Sequence, residues 1–268
     1  MRLSLDHITV ADATPSRLVE AAVETGCQGI CLFLHPMEVL PAMPPFDILG
    51  DTPDRRQTLD AMRAGGITLD LAYPFTLAGR TEINQFEPLF ETVAVLGGRL
   101  ANVLVYDRVP ERRREKLFAL ANLAAGYGID LAIEFYPPSQ IPSVGAALAE
   151  LDAVGHSGIG VTADLLHLTR SGDMPSALPL LGDPRIRVAQ LADGPAEIPP
   201  DLIEWEAGLQ RQLPGTGAFE IAAFVGALAE GVPVSVEVPQ EAALAAGVTL
   251  MERARNAVDA ARRQLGKE

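Results

Sequence analysis

The sequence predicts an α/β fold, a (β/α)8 TIM barrel, as a single domain spanning residues 1–268. Three observations predict it. Short apolar or β-branched runs alternate eight times with Ala- and Leu-rich amphipathic stretches. The runs are nearly continuous, Val234–Val238 among them, as in parallel strands buried on both faces. The length, 268 residues, matches the roughly 250 residues that eight βα units need. A doubly wound open sheet would want a glycine-rich phosphate turn after its first strand. Here the first strand leads into Ala-Asp-Ala-Thr-Pro-Ser, which has no glycine.

The units follow in order. Leu3–Val10 reads as a strand and Pro15–Glu24 as its helix. Gly29–Leu34 precedes a helix near Asp54–Ala64, and Thr68–Ala72 one from Ile83 to Leu96. Ala101–Tyr106 is followed by Glu111–Tyr127, and Asp130–Phe135 by Val144–Val154. Gly158–Asp164 is followed by a short helical piece near Pro175–Leu181, and Ile186–Leu191 by Phe219–Ala229. Pro233–Val238 and the helix Ala242–Leu265 complete the eighth unit. Helices close on glycine at Gly26, Gly65, Gly126 and Gly231, where a residue without Cβ is favoured. Two connections are long: His35–Pro53, with five prolines, and Ala192–Gly217, with Trp205 and Arg211. Both leave carboxyl ends of strands, where barrel active sites are built, so they are expected to form a lid and a substrate clamp.

Composition narrows the function. The chain carries 35 Asp and Glu against 21 Lys and Arg, a net charge of −14. That balance argues against nucleic-acid partners, which want a basic surface, and against anionic membranes. No apolar run reaches the 18–20 residues of a bilayer span, and MRLSLDHITVAD meets charge too early for a secretory leader. A cytoplasmic protein is expected. Cys27 and Cys31 read as buried free thiols.

The chemistry lies at the ends of the last four strands. They finish on Glu134, on Asp164 with His167 three residues later, on Gln190 with Asp193 beyond it, and on Glu237. Converging carboxylates repel unless paired or metal-bound. The lysines are Lys116 and Lys267, and neither is near a strand end. A divalent cation would supply the missing charge. An oxygen-rich set suits Mn²⁺ or Mg²⁺, and the nearby His167 leaves Zn²⁺ or Co²⁺ open. His7, in the first strand, and His35, at the end of the second, are candidates for pocket lining or for the core. Tyr73, Tyr106 and Asp107 are candidates of the same kind. His156 is expected in a solvent-facing loop at the far end, and Arg112–Arg114 on a solvated helix face. No strand-tip lysine and no Gly-x-Ser-x-Gly elbow is present, which argues against Schiff-base and serine-hydrolase chemistry.

Several segments resemble the xylose isomerase-like TIM barrels, the sugar phosphate isomerase/epimerase group. They are IEFYP around Glu134, TADLLHLTRSGD from Thr162, VAQLADGP from Val188, RQLPGTGAFE from Arg211, VSVEVP around Glu237, and the last helix. The resemblance implies Glu134, Asp164, Gln190 and Glu237 as metal ligands; Glu134 and Glu237, on adjacent sectors of the ring, are also expected as the pair that removes and returns a proton. It implies an acid/base or substrate role for His167, and Arg211 reaching a carboxylate, phosphate or hydroxyl of the substrate. His7, His35, Tyr73 and Asp193 complete the expected substrate-binding set. Many sugar epimerases of the group have His where this chain has Gln190, and Gln-Leu-x-Asp-Gly-Pro is closer to the dehydratases.

The expected activity is a divalent-metal-dependent isomerase or epimerase of a small polyhydroxylated carbonyl compound: a sugar, sugar phosphate or sugar-acid-like molecule. It would remove a proton beside the metal-bound carbonyl, through an enediolate. The alternatives are a metal-dependent dehydratase of the inosose or 3-dehydroshikimate type, and a metabolite-binding barrel without turnover. The resemblance also implies a homo-oligomer, dimer or tetramer.

Overall fold

The computed structural model describes residues 2–266. Eight parallel strands close into a barrel in sequence order, with the first pairing to the last. They are β1 (Leu3–Asp6), β2 (Gly29–Phe33), β3 (Thr68–Leu77), β4 (Leu100–Val105), β5 (Asp130–Glu134), β6 (Ile159–Asp164), β7 (Ile186–Leu191) and β8 (Val234–Val236). The helices are α1 (Pro15–Glu24), α2 (Pro53–Gly65), α3 (Glu87–Val95), α4 (Pro110–Gly126), α5 (Val144–Val154), α6 (Leu165–Arg170), α7 (Ile203–Gly208), α8 (Ile221–Ala227), α9 (Glu241–Ala245) and α10 (Leu250–Gln264). No helix among the described residues is long and apolar enough to cross a membrane.

The alternation legible in the sequence is therefore the real one, with local differences. The first strand stops at Asp6, and His7–Val10 turns as a 3-10 helix. Asp6 causes the turn: its side chain accepts the Ile8 N–H and so competes with the strand ladder. The third strand runs on to Leu77, across a register shift between Ala72 and Phe75 that lets Pro74 sit outside the ladder. The last helix is split at Gly247 (φ +80°), and Thr249 and Glu252 form a capping box that starts α10. The expected helix near Pro175–Leu181 is a 3-10 turn, Leu178–Gly182. The short α6 directly after β6 lies outside the predicted elements.

Most of the core lies between strands and helices. Phe90 on α3 is fully buried and stacks on Phe75 at 4.7 Å. A smaller apolar cluster, Cys31, Leu71, Tyr73 and Val188, fills the barrel interior. Cys27 and Cys31 are buried and unbridged.

Strand register decides which side chains point inward. Glu134 pairs with Thr162, Asp164 with Gln190, and Gln190 with Ser235. Paired residues share a face, and so do residues two apart. Glu134, Asp164, Gln190 and Glu237 are therefore one inward-facing set at the carboxyl ends. By the same parity Asn102, paired with Ala132, belongs with Glu134. Truncating Phe90 to Ala should cost about 3–5 kcal/mol of unfolding free energy, read from urea denaturation, because the stacked rings cannot collapse onto the gap.

Candidate functional site

The strand ends open into a cavity of about 660 Å³, lined by Glu134, His167, Gln190, Arg211 and Glu237 among polar groups. Phe33, Met37, Leu40, Tyr73, Phe75, Tyr106, Tyr136 and Trp205 supply much of its apolar wall. Both long connections contribute: Met37, Val39 and Leu40 from one, Glu204, Trp205, Ala207, Gly208 and Leu209 from the other.

Asp164 organises the centre. It caps α6, with Oδ1 accepting the backbone N–H groups of Leu166 at 2.6 Å and His167 at 3.3 Å. That cap starts the helix at once and brings His167, one turn on, over the cavity. His167 Nε2 lies 3.3 Å from Glu134 Oε1 and 3.7 Å from Asp164 Oδ2. Its ring packs on Tyr136 with centroids 4.8 Å apart. The Asn102 amide donates to Glu134 Oε2, and Thr162 donates to Asn102 Oδ1 at 2.6 Å, so the carboxylate is held from behind.

Arg211 corrects the charge argument made from lysines. Its guanidinium is buried between two of the carboxylates, with Nη1 2.8 Å from Asp164 Oδ2 and Nη2 3.3 Å from Glu237 Oε1. Its remaining contacts go to the carbonyls of Ala207 and Glu237. It is thus engaged by the protein, where a reach toward substrate was expected. Burial would raise the Asp164 carboxyl, but Arg211 and then His167 outweigh it and hold the group below its usual range. Burial pushes Glu237 well up; Arg211 offsets this only in part, and Asp6, Asp164 and Glu134 add to it.

The other predicted residues divide. Tyr73 lines the cavity, with its hydroxyl donating to Asp6 below. His7 does not. Its Nε2 donates to the Ala13 carbonyl at 3.0 Å and its Nδ1 accepts the Phe33 N–H at 3.4 Å, which makes it a satisfied core histidine. His35 is half-buried and bonded to the adjacent Pro36 carbonyl, outside the lining. Asp193 is buried and accepts the backbone N–H groups of Gly194, Gly215, Gly217 and Phe219. It fastens the connection that carries Arg211, and does not face the cavity. Away from the site, His156 is half-buried, accepting the Gly158 N–H. Arg113 is buried on Glu150 at 2.8 Å, where a solvated face was expected.

Sequence reasoning passed over Asn102, Asp6, Tyr136 and Glu204. Asn102 and Asp6 were findable: each is a polar residue at an inward position of an apolar strand. Asp6 accepts from Tyr73 and from Ser235 at 3.0 Å, and burial lifts its carboxyl to about 6. Glu204 gives no such signal, since only the fold of the long connection brings it to the mouth.

The donor set fits a divalent cation. Glu134, Asp164 and His167 each offer a ligand atom within 4.8 Å of the others. Gln190 Oε1 and Glu237 Oε2 are buried without a hydrogen-bond partner. Orphaned buried acceptors are costly and rare, and two of them beside such a cluster fit the donor set of a divalent cation.

Fold and site together define a (β/α)8 barrel with an acid-rich polar cavity at the carboxyl ends of its strands. Within that class, the chain belongs to the xylose isomerase-like TIM barrel family, whose model matches residues 19–263. A curated relative, an inosose isomerase of Bacillus velezensis, is 27% identical over 161 residues, 56% of this chain and 56% of the relative. Among solved structures, a xylose isomerase-like TIM barrel/4-hydroxyphenylpyruvate dioxygenase fusion protein superposes with a TM-score of 0.78 at 22% identity, over 97% of this chain and 42% of that one. The chain thus spans less than two thirds of the length of either. An IolI protein with a bound zinc atom superposes with a TM-score of 0.80 at 20% identity, over 99% of this chain and 98% of that one. The two structural likenesses are likenesses of fold.

Two consequences follow from the buried groups. His7 is held down to about 4 from 6.5, chiefly by burial. Between those values the unfolded chain binds the extra proton, so stability is lost as pH falls from 6.5 toward 4. His7→Gln should remove a pH-dependent loss of about 3 kcal/mol, measured as the difference between the urea midpoints of wild type and variant across that window. Arg211→Met, which strands Asp164 and Glu237 without their partner, should cost about 3–5 kcal/mol in the same assay at neutral pH in metal-free buffer.

Proposed function

We propose that this protein is a divalent-metal-dependent isomerase or epimerase of a small polyhydroxylated carbonyl compound. The observation that carries the reading is the pair of orphaned buried oxygens, Gln190 Oε1 and Glu237 Oε2, beside the Glu134–Asp164–His167 cluster. Glu134, Asp164, Gln190 and Glu237 would hold the ion, with His167 near enough to join. The oxygen ligands favour Mn²⁺ or Mg²⁺, while a coordinating imidazole would shift the preference toward Zn²⁺ or Co²⁺. When bound, the ion would polarise the substrate carbonyl and lower the cost of removing the neighbouring proton.

The protein's own residues divide the rest of the work. Glu134 stands at the end of β5 and Glu237 just beyond β8, three strands further round the ring. They approach the cavity from different sides, so one can take a proton that the other returns. Asn102 aims Glu134, and Arg211 holds Glu237. The apolar wall, with Trp205 and Leu40 at the mouth, would exclude water from the exchange. A second reading, a dehydratase, is favoured by one observation: the His167 imidazole beside Glu134 is placed to protonate a departing hydroxyl. The partner in either case is a small molecule. We further propose a cytoplasmic homo-oligomer, dimer or tetramer, without nucleic-acid or membrane partners.

Metal titration followed by exchange tests this. The protein should bind one divalent ion per chain, and Glu134→Gln should weaken that binding at least about tenfold, as loss of a ligand does at least what loss of a supporting residue does. Incubation of loaded protein with candidate substrates in D₂O should place deuterium beside the carbonyl. An intact product skeleton identifies the isomerase, and loss of water with a new ultraviolet chromophore identifies the dehydratase. Metal binding without exchange would support a binding barrel, and no metal uptake would remove both enzymatic readings.

A further inference from the structure

A free arginine or lysine aimed into a pocket is the usual side-chain holder of phosphate or carboxylate. Among the described residues, Arg211 is the one Arg or Lys lining this cavity. It has nothing to spare. Nη1 serves Asp164 Oδ2 and the Glu237 carbonyl, Nη2 serves Glu237 Oε1 and the Ala207 carbonyl, and Nε bonds the same Ala207 carbonyl. Its side chain is 1% exposed. His167 is turned to Glu134 and Asp164.

Against this stands Glu204. It lines the cavity from α7, is exposed there, and makes no ion pair among the described residues. Its position is fixed by its neighbours. Arg170 grips Glu206 at 2.6 Å, the Trp205 indole N–H donates to Glu241 Oε2 at 2.8 Å, and Arg211 holds the Ala207 carbonyl at 3.1 Å. Three anchors on one turn of helix hold the backbone that carries Glu204 at the mouth. Tyr106 and Tyr136 line the same cavity, and their hydroxyls are raised by burial first, with Glu204 adding to the effect. A divalent ion together with Arg211 would match Glu134, Asp164 and Glu237, and Glu204 would remain as the cavity's unmatched charge.

We propose that the cavity selects uncharged carbonyl compounds, and that Glu204 is the specificity residue that turns phosphate- and carboxylate-bearing analogues away. This rests on the metal-dependent reading above and narrows its substrate class, from sugar, sugar phosphate or sugar acid, to the uncharged member. An anion entering beside a solvated carboxylate a few ångströms away meets repulsion equivalent to about fivefold in affinity.

Trp205 is the chain's one tryptophan and lines the cavity, so its fluorescence reports occupancy. Metal-loaded protein is titrated with D-fructose against D-fructose 6-phosphate, and with an inosose against 3-dehydroshikimate. The uncharged member of each pair should bind at least about fivefold tighter. Glu204→Gln should bring the ratio close to one, and Glu204→Arg should invert it, both with metal binding retained. Tighter binding of the anionic member by wild type, or a ratio unmoved by both substitutions, overturns the proposal. So does failure of all four probes to bind protein that still holds its ion. Failure of the underlying reading is separate, because it shows as absence of metal uptake before any probe is added.

Discussion

Asp164, Glu134 and Glu237 are buried at one end of the barrel, and the surroundings are arranged to make that burial tolerable. An ionised carboxylate in a low-dielectric interior is strongly unfavourable unless opposite charge or several hydrogen bonds face it. Arg211 sits between Asp164 and Glu237, Asn102 and His167 face Glu134, and the first turn of α6 donates two backbone N–H groups to Asp164. Two oxygens, on Gln190 and Glu237, remain without partners. Arg211 answers one of the three carboxylates, and the two unpartnered oxygens belong to a donor set whose chemistry suits a divalent ion.

Holding Arg211 in place requires the long connection after β7 to fold with little freedom. Asp193 gathers four backbone N–H groups from residues 194 to 219 and ties the two ends of that segment together. Arg170 does the same for its middle, gripping Glu206 and stacking over Phe219. The segment therefore serves two purposes at once. Its buried side supplies the guanidinium that steadies the carboxylates, and its cavity side carries Glu204, Trp205 and Leu209 to the mouth. A change at Asp193 or Arg170 would be felt in the cavity although neither residue lines it.

Much of this was legible in the chain. An oxygen-bearing residue where an apolar strand gives way to a loop is conspicuous, and Glu134, Asp164, Gln190 and Glu237 all converge as expected. The register explains why: in a closed parallel barrel, one inward position per strand sets the parity of every other. Asn102 and Asp6 obeyed the same parity and were overlooked because each falls inside a strand as read from the sequence, Ala101–Tyr106 and Leu3–Val10. His7 stood in the first strand by pattern, but Asp6 ends that strand one residue earlier and turns the imidazole into the core.

The sequence by itself determined the alternation of strands and helices, the closure of eight units, and the carboxylates at the strand ends. These are read from local periodicity and from the side chain that follows each apolar run, and neither needs distant partners. Only the tertiary structure decided where Arg211 points and what Glu204 faces. Both belong to a connection without periodicity, whose path is set by hydrogen bonds between residues far apart in the chain, Asp193 to Phe219 and Arg170 to Glu206. For that reason the missing positive charge looked from the sequence like a metal ion alone, whereas in the fold an arginine supplies part of it.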